Sequence, residues 1–145
     1  MLEVYTDGCC KGNPGPGGWA FVVYENGQKK GHKKGNQKQT TNNGMELLAI
    51  LEALRWAEKH NISIDVLHSD SSYAINAITK WMDGWSKKGW TASTGKPVGN
   101  LDTMKEIFSL RHRVKSYLHV KGHNGNPGNE MADVLANEAF LAIAW

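Results

Sequence analysis

The sequence predicts an α/β fold in which helices pack on a mixed β-sheet. Two observations carry that prediction. The first forty residues alternate apolar runs with turn residues, as hairpins do, and the remainder alternates helical with strand-like segments. At 145 residues the chain is also long enough to bury about 68–70% of its unfolded surface in one core. A single domain, residues 1–145, follows, with no internal repeat and no low-complexity tract.

Residues 2–9 read as the first strand. GNPGPGG (12–18) reads as a tight turn, because glycine supplies positive φ and proline fixes its own. WAFVVYE (19–25) is a second strand, and Asn26-Gly27 is a hairpin signal leading to a polar third strand. From Thr41 to His60 the residues Met45, Leu48, Leu51 and Trp56 recur at helical spacing. Ile62 to His68 is a fourth strand, followed by a helix from Ser71. Gly84, Gly89 and Gly95 break regularity in 81–99, which is expected to form a protruding basic segment. A helix near 101–112, a strand near 115–120 and a helix near 129–143 complete the chain.

A hydrophobic fraction of 40% and six tryptophans support a packed core. No stretch approaches the ~20 apolar residues of a membrane span, and MLEVYTDG has no signal-peptide character, so a cytoplasmic location without membrane attachment is expected. Cys9 and Cys10 are adjacent, a poor disulfide framework with no CxxC partner for zinc. The net charge of +3 is unevenly spread. Residues 11–38 hold six lysines and one acid, Glu25, while Lys80, Lys87, Lys88 and Lys96 interleave with Trp81, Trp85 and Trp90. Such charge attracts phosphates without regard to sequence, and aromatic faces pack on sugars or bases. The plainer reading is a solvated hairpin and a tryptophan-anchored core.

Four acids occupy distinctive settings. Asp7 and Asp70 close the apolar runs LEVYTDG and IDVLHSD, Glu46 lies at the start of a long helix in TTNNGMELLA, and Asp133 follows KGHNGNPG in NEMAD. Each has a bland reading: Asp7 as a turn residue, Glu46 as the far half of a capping box with Asn43 as N-cap, Asp70 as a cap for the next helix, Asp133 as helix decoration. Together they read otherwise. Strand carboxyl ends are where open α/β sheets place their sites, and clustered like charges are destabilising unless cations occupy them. Carboxylates holding metals against a polyanion are a common arrangement for phosphodiester cleavage. His123, in the Gly-rich stretch from Gly122 to Gly128, has the neutral-range pKa of a proton carrier, though a loop histidine is more often a surface residue.

The segments YTDG-x-x-x-GNPGPGG, TTNN-x-MEL, SDS-x-Y, W-x-x-x-W-x-x-x-GW, KPV-x-N and VKGH-x-G-x-P-x-NE-x-x-D occur in order between residues 3 and 140. Together they resemble the bacterial-type (type I) ribonuclease H family. The resemblance implies a five-stranded mixed sheet in the order 3-2-1-4-5, with helices on both faces. It implies an endonuclease that cuts the RNA strand of an RNA/DNA hybrid by a two-metal-ion mechanism, leaving 5′-phosphate and 3′-hydroxyl ends. It further implies two Mg2+ per site, with Mn2+ able to substitute, and a monomer. On this resemblance Asp7, Glu46, Asp70 and Asp133 match the metal ligands, and His123 a residue assisting proton transfer and product release. Asn13, Asn42, Asn43 and Ser72 match RNA contacts, Thr41 and Asn42 a DNA-phosphate contact, and Trp81 a DNA-strand contact. Lys87 and Lys88 join the substrate-binding set from the basic segment. Gly44 stands where arginine is usual, Gln39 where a basic residue is frequent, and Ser72 where glutamine is commoner; these affect binding rather than chemistry. Two other classes compete: a transposase or integrase core, which sets its acids differently, and a non-catalytic hybrid-binding module, expected to have lost a ligand. GNPGPGG is no Walker loop, since no Gly-Lys-Ser/Thr follows.

Overall fold

The structure is a computed structural model that describes residues 1–122 and 124–143. Five strands form one sheet: β1 (Leu2–Cys10), β2 (Gly15–Glu25), β3 (Gln28–Thr40), β4 (Ile64–Ser69) and β5 (Val114–His119), in the order β3-β2-β1-β4-β5. The β1–β2 and β2–β3 pairs are antiparallel, and β1–β4 and β4–β5 are parallel. The expected mixed sheet is therefore present in the expected order.

β2 is apolar on both faces because helices cover both. Phe21 and Val23 join the larger core, with α1 (Asn42–Lys59), α2 (Ser72–Asn76) and α4 (Leu101–Leu110), while Ala20 and Val22 face α5 (Pro127–Leu141). Leu47, Ile50, Leu51 and Leu54 of α1 are buried against Val4, Phe21 and Leu67 of the sheet. No helix among the described residues is long and apolar enough to cross a membrane.

Four local expectations are corrected. β2 begins at Gly15 rather than Trp19, so much of GNPGPGG is strand: Gly15 pairs with Thr40, Gly17 with Gln37 and Gly18 with Asn36. The glycines serve close approach as well as turning. A Cβ on Gly18 would collide with the Ala136 carbonyl and lie 2.7 Å from the Phe140 amide nitrogen of α5. Secondly, the N-cap of α1 is Thr41, whose Oγ1 accepts from the Gly44 N–H at 3.0 Å. Glu46 thus lies beyond the first turn, the Asn43–Glu46 capping box does not form, and the Glu46 carboxylate is free for other contacts. Thirdly, Ser71 rather than Asp70 caps α2, its Oγ accepting from the Ala74 N–H at 3.1 Å. Lastly, the segment 81–99 is not irregular throughout. A π-turn (Ala77–Trp81) leads into α3 (Met82–Lys87), and the fully buried Met82 ties α3 to the core despite Gly84.

Opposite responses to one substitution follow. Gly18→Ala should destabilise the protein by about 1–3 kcal/mol, since the added methyl forces β2 from α5. Gly84→Ala, in helix α3 with open space around it, should be neutral or stabilise by up to ~1 kcal/mol. Urea unfolding of both variants checks the two signs.

Candidate active site

The parallel β1–β4 ladder ends on the pair Thr6–Ser69. Asp7 and Asp70 are the next residue on each chain, so the register sets them side by side where the two strands part. Asp70 immediately follows β4. Asp7, contrary to expectation, is not at a strand end, because β1 continues to Cys10 against β2 with Asp7 opposite Ala20. What ends at Asp7 is its pairing with β4.

Glu46 arrives from α1, which crosses β1 at Gly8. A Cβ there would lie 2.5 Å from the Glu46 amide nitrogen, so only glycine lets the helix come this near. α5 approaches from the other side, with Gly128 against the Tyr5 ring, and brings Asp133 to the same cavity. Asn137, one turn on, donates through Nδ2 to the Asp133 carbonyl at 2.9 Å and to Oδ1 at 3.3 Å.

Carboxylate oxygens of Asp7, Glu46 and Asp70 all lie within 4.8 Å of one another. Asp133 is not in that triad but lines the same cavity of about 400 Å³ with Gly8, Asn42, Asn43, Ser71, Ser72 and Tyr73. Asp7 is only 4% exposed. Burial first, then the neighbouring Asp70, pushes its carboxyl up to about 8. Burial, then the charge of Asp7, holds Glu46 well above the usual carboxylate range. Glu46 Oε1 is buried with no hydrogen-bond partner among the described residues. Crowded, poorly solvated carboxylates with an unpartnered oxygen are a donor set for a hard cation.

Three of the eight predicted contact residues line this cavity. Asn42, Asn43 and Ser72 line it, and Asn13 stands at its edge, its Oδ1 accepting from the Asn42 N–H at 2.9 Å. Thr41 is engaged as the α1 cap. Trp81 and Lys88 line instead a second cavity of about 890 Å³, with Lys80 and Trp85. Lys87 ends α3 and lines neither. His123 lies outside the described residues. Sequence reading assigned no role to Ser71 and Tyr73, which stand on the cavity wall and belong to the SDS-x-Y motif. Asn100, the last residue of the KPV-x-N segment, holds a left-handed φ of 55° at the start of α4. Its Oδ1 would lie 3.5 Å from a Cβ at Gly44.

The RNase H family model matches residues 1–140. The ribonuclease H of Polynucleobacter asymbioticus is 47% identical over 145 residues, covering 97% of this chain and 92% of that protein. Among solved structures, LC9-RNase H1, a type 1 RNase H with the type 2 active-site motif, superposes with a TM-score of 0.82 at 28% identity, covering 99% of this chain and 73% of that one. LC11-RNase H1, solved in complex with RNA/DNA hybrid, shares the fold at a TM-score of 0.72 and 21% identity, over 97% of this chain and 96% of that one.

The raised carboxyls set a pH dependence. Unfolded carboxylates titrate near pH ~4, whereas folded Asp7 keeps its proton up to about 8. Between those values the folded state binds more protons, so metal-free stability falls as pH rises through the window. Chemical unfolding in chelator should therefore show a less stable protein at pH 8 than at pH 5. Asp7→Asn should flatten the difference, and a divalent cation should restore stability at pH 8. A metal-free stability rising from pH 5 to 8 would contradict the crowding of these acids.

Proposed function

The chain belongs to the RNase H family of enzymes, and from that premise we propose that it hydrolyses the RNA strand of RNA/DNA hybrids with two divalent cations, leaving 5′-phosphate and 3′-hydroxyl ends. The observation that carries this reading is the convergence of Asp7, Glu46 and Asp70 within 4.8 Å where β1 and β4 part, with one buried oxygen unpartnered among the described residues. We assign Asp7, Glu46, Asp70 and Asp133 as the residues that hold the cations, Mg2+ by preference and Mn2+ in its place. All the donors are carboxylate oxygens, with no nitrogen or sulfur among them, which suits a hard cation. When bound, the cations supply positive charge to the attacking and leaving oxygens of an in-line displacement.

The chain's own groups supply alignment and selectivity. Recognising a hybrid requires sensing 2′-hydroxyls on one strand and tolerating their absence on the other. The short polar side chains of Asn42, Asn43 and Ser72 beside the carboxylates suit the RNA strand. Asn13 already accepts a bond through its oxygen, so its amide NH2 is the end left to donate. The N-terminus of α1, at Thr41 and Asn42, offers the positive end of the helix dipole, which favours a phosphate of the DNA strand. Trp81, with Lys87 and Lys88, belongs to the same strand's path in this reading. His123 is assigned, from its place in the motif, to proton transfer and product release.

Two experiments test the reading. Asp70→Asn should abolish hybrid cleavage while hybrid binding largely survives, because one ligand is lost and like-charge repulsion falls. Substantial Mg2+-dependent cleavage by the purified variant would remove Asp70 from its assigned role. Secondly, Gly44 and Gln39 leave two positions without positive charge, which shifts phosphate attraction toward the Lys80–Lys96 region. Replacing Lys87 and Lys88 together with alanine should raise the hybrid KM far more than it lowers kcat. Each phosphate contact removed should reduce the log–log salt slope by about 0.9, the B-form value. Steady-state cleavage at several salt concentrations measures both, and an unchanged KM and slope would make those lysines surface solvation only.

A further inference from the structure

Tyr73 and Trp81 line different cavities and yet touch. Tyr73 forms part of the carboxylate cavity, and Trp81 part of the lysine-bearing one. Their rings meet edge-on with centroids 5.7 Å apart and planes at 62°, and Trp81 passes the contact to Trp85 at 5.8 Å. Trp85 and Trp90 pack against the core, whereas Trp81 is 38% exposed. Trp81 is therefore the ring of this ladder that a bound strand meets most openly.

The two residues are eight positions apart. At about 100° per residue, eight positions on an α-helix leave side chains about 80° apart around the axis, whereas seven leave about 20°. A continuous α-helix would thus turn Trp81 away from Tyr73. The π-turn Ala77–Trp81 intervenes, with the Met82 N–H donating to the Ala77 carbonyl. A single π-turn absorbs one extra residue, so eight positions here cover the angle of seven. In the same stretch Thr79 Oγ1 donates to the Ile75 carbonyl at 2.7 Å, a back-bond of the kind that bends a helix.

We propose that this π-turn is a positioning device for the hybrid, and that Thr79 is the positioning residue that holds it. Its back-bond keeps the Trp81 ring aligned with Tyr73, so a strand lying across the carboxylates meets the ring in register. The inference rests on the hybrid-cleaving reading above and assigns no chemistry to Thr79.

The test is steady-state cleavage of a labelled RNA/DNA hybrid by four full-length variants: Thr79→Val, Thr79→Ser, Trp81→Ala, and Thr79→Val combined with Trp81→Ala. Thr79→Val removes the hydroxyl at nearly constant shape and should raise KM about fivefold, the low end for loss of one stacking contact, with kcat little changed. Thr79→Ser keeps the donor and should match the wild type. In the Trp81→Ala background Thr79→Val should add nothing, because the ring it positions is gone. Thr79→Ala replaces Thr79→Val should the latter fail to fold. A wild-type protein that does not cut the hybrid overturns the functional reading itself. A wild type that cuts, with Thr79→Val unchanged, lowered in kcat alone, or multiplying the Trp81→Ala effect, overturns the role of the π-turn.

Discussion

Mutual repulsion among Asp7, Glu46 and Asp70 is the constraint that the surrounding structure has to meet. Three carboxylates with oxygens inside 4.8 Å would splay into water on any flexible support, since exposure relieves both desolvation and like-charge repulsion. Each is therefore fixed to a different rigid element. Asp7 and Asp70 are set level by a parallel ladder that runs up to Thr6–Ser69 and stops. Glu46 is pressed down by α1, whose buried Leu47, Ile50, Leu51 and Leu54 lock the helix to the sheet. The core thus offsets the destabilisation of the site, and two features without side chains of their own make the approach possible. Gly8 lets α1 meet β1, and Gly18 lets α5 meet β2. Any Cβ at Gly8 would separate Glu46 from Asp7 without touching either carboxylate.

Sequence carried the four acids because each sits next to a change of pattern: an apolar run stopping, or a helical period starting. It also carried the sheet order and the two helix-covered faces through the family's motifs. What it misread shares one cause, which is tertiary contact overriding a local signal. Glycine and proline in GNPGPGG score as a turn, and nothing local shows that Gly18 faces a helix more than a hundred residues later. Gly84 reads as a breaker, but the buried Met82 and the tryptophan ladder keep α3 helical. Asn43 and Glu46 satisfy the spacing of a capping box, yet Thr41 reaches the Gly44 amide first. The Tyr73–Trp81 contact was not legible because it depends on a π-turn, and no residue pattern in AITKW announces one.

In the proposed reading, attraction and chemistry fall to separate cavities. A carboxylate cluster repels phosphates until cations neutralise it, so it makes a poor first contact for a polyanion. The lysine- and tryptophan-lined cavity has the opposite character and needs no cation to attract a strand. Tyr73 and Trp81 join the two through a packed aromatic contact rather than through charge, which leaves the electrostatics of each cavity largely its own.

That separation also explains how the chain tolerates glycine at position 44. A Cβ there would lie 3.0 Å from the hydroxyl oxygens of both Thr40 and Thr41, tighter than ordinary contact. One of those oxygens caps α1 by accepting from the Gly44 amide. A long cationic side chain at this position would add positive charge beside the site, and its Cβ would require the Thr40 and Thr41 hydroxyls to give by a few tenths of an ångström. Gly44 spares that adjustment at a helix-propensity cost of up to ~1 kcal/mol. The lost charge is recoverable elsewhere, because phosphate attraction is long-ranged and lysines in the second cavity supply it without touching the cap. The geometry of the carboxylates has no such substitute, because it is fixed by the β1–β4 register and by the packing of α1 on Gly8.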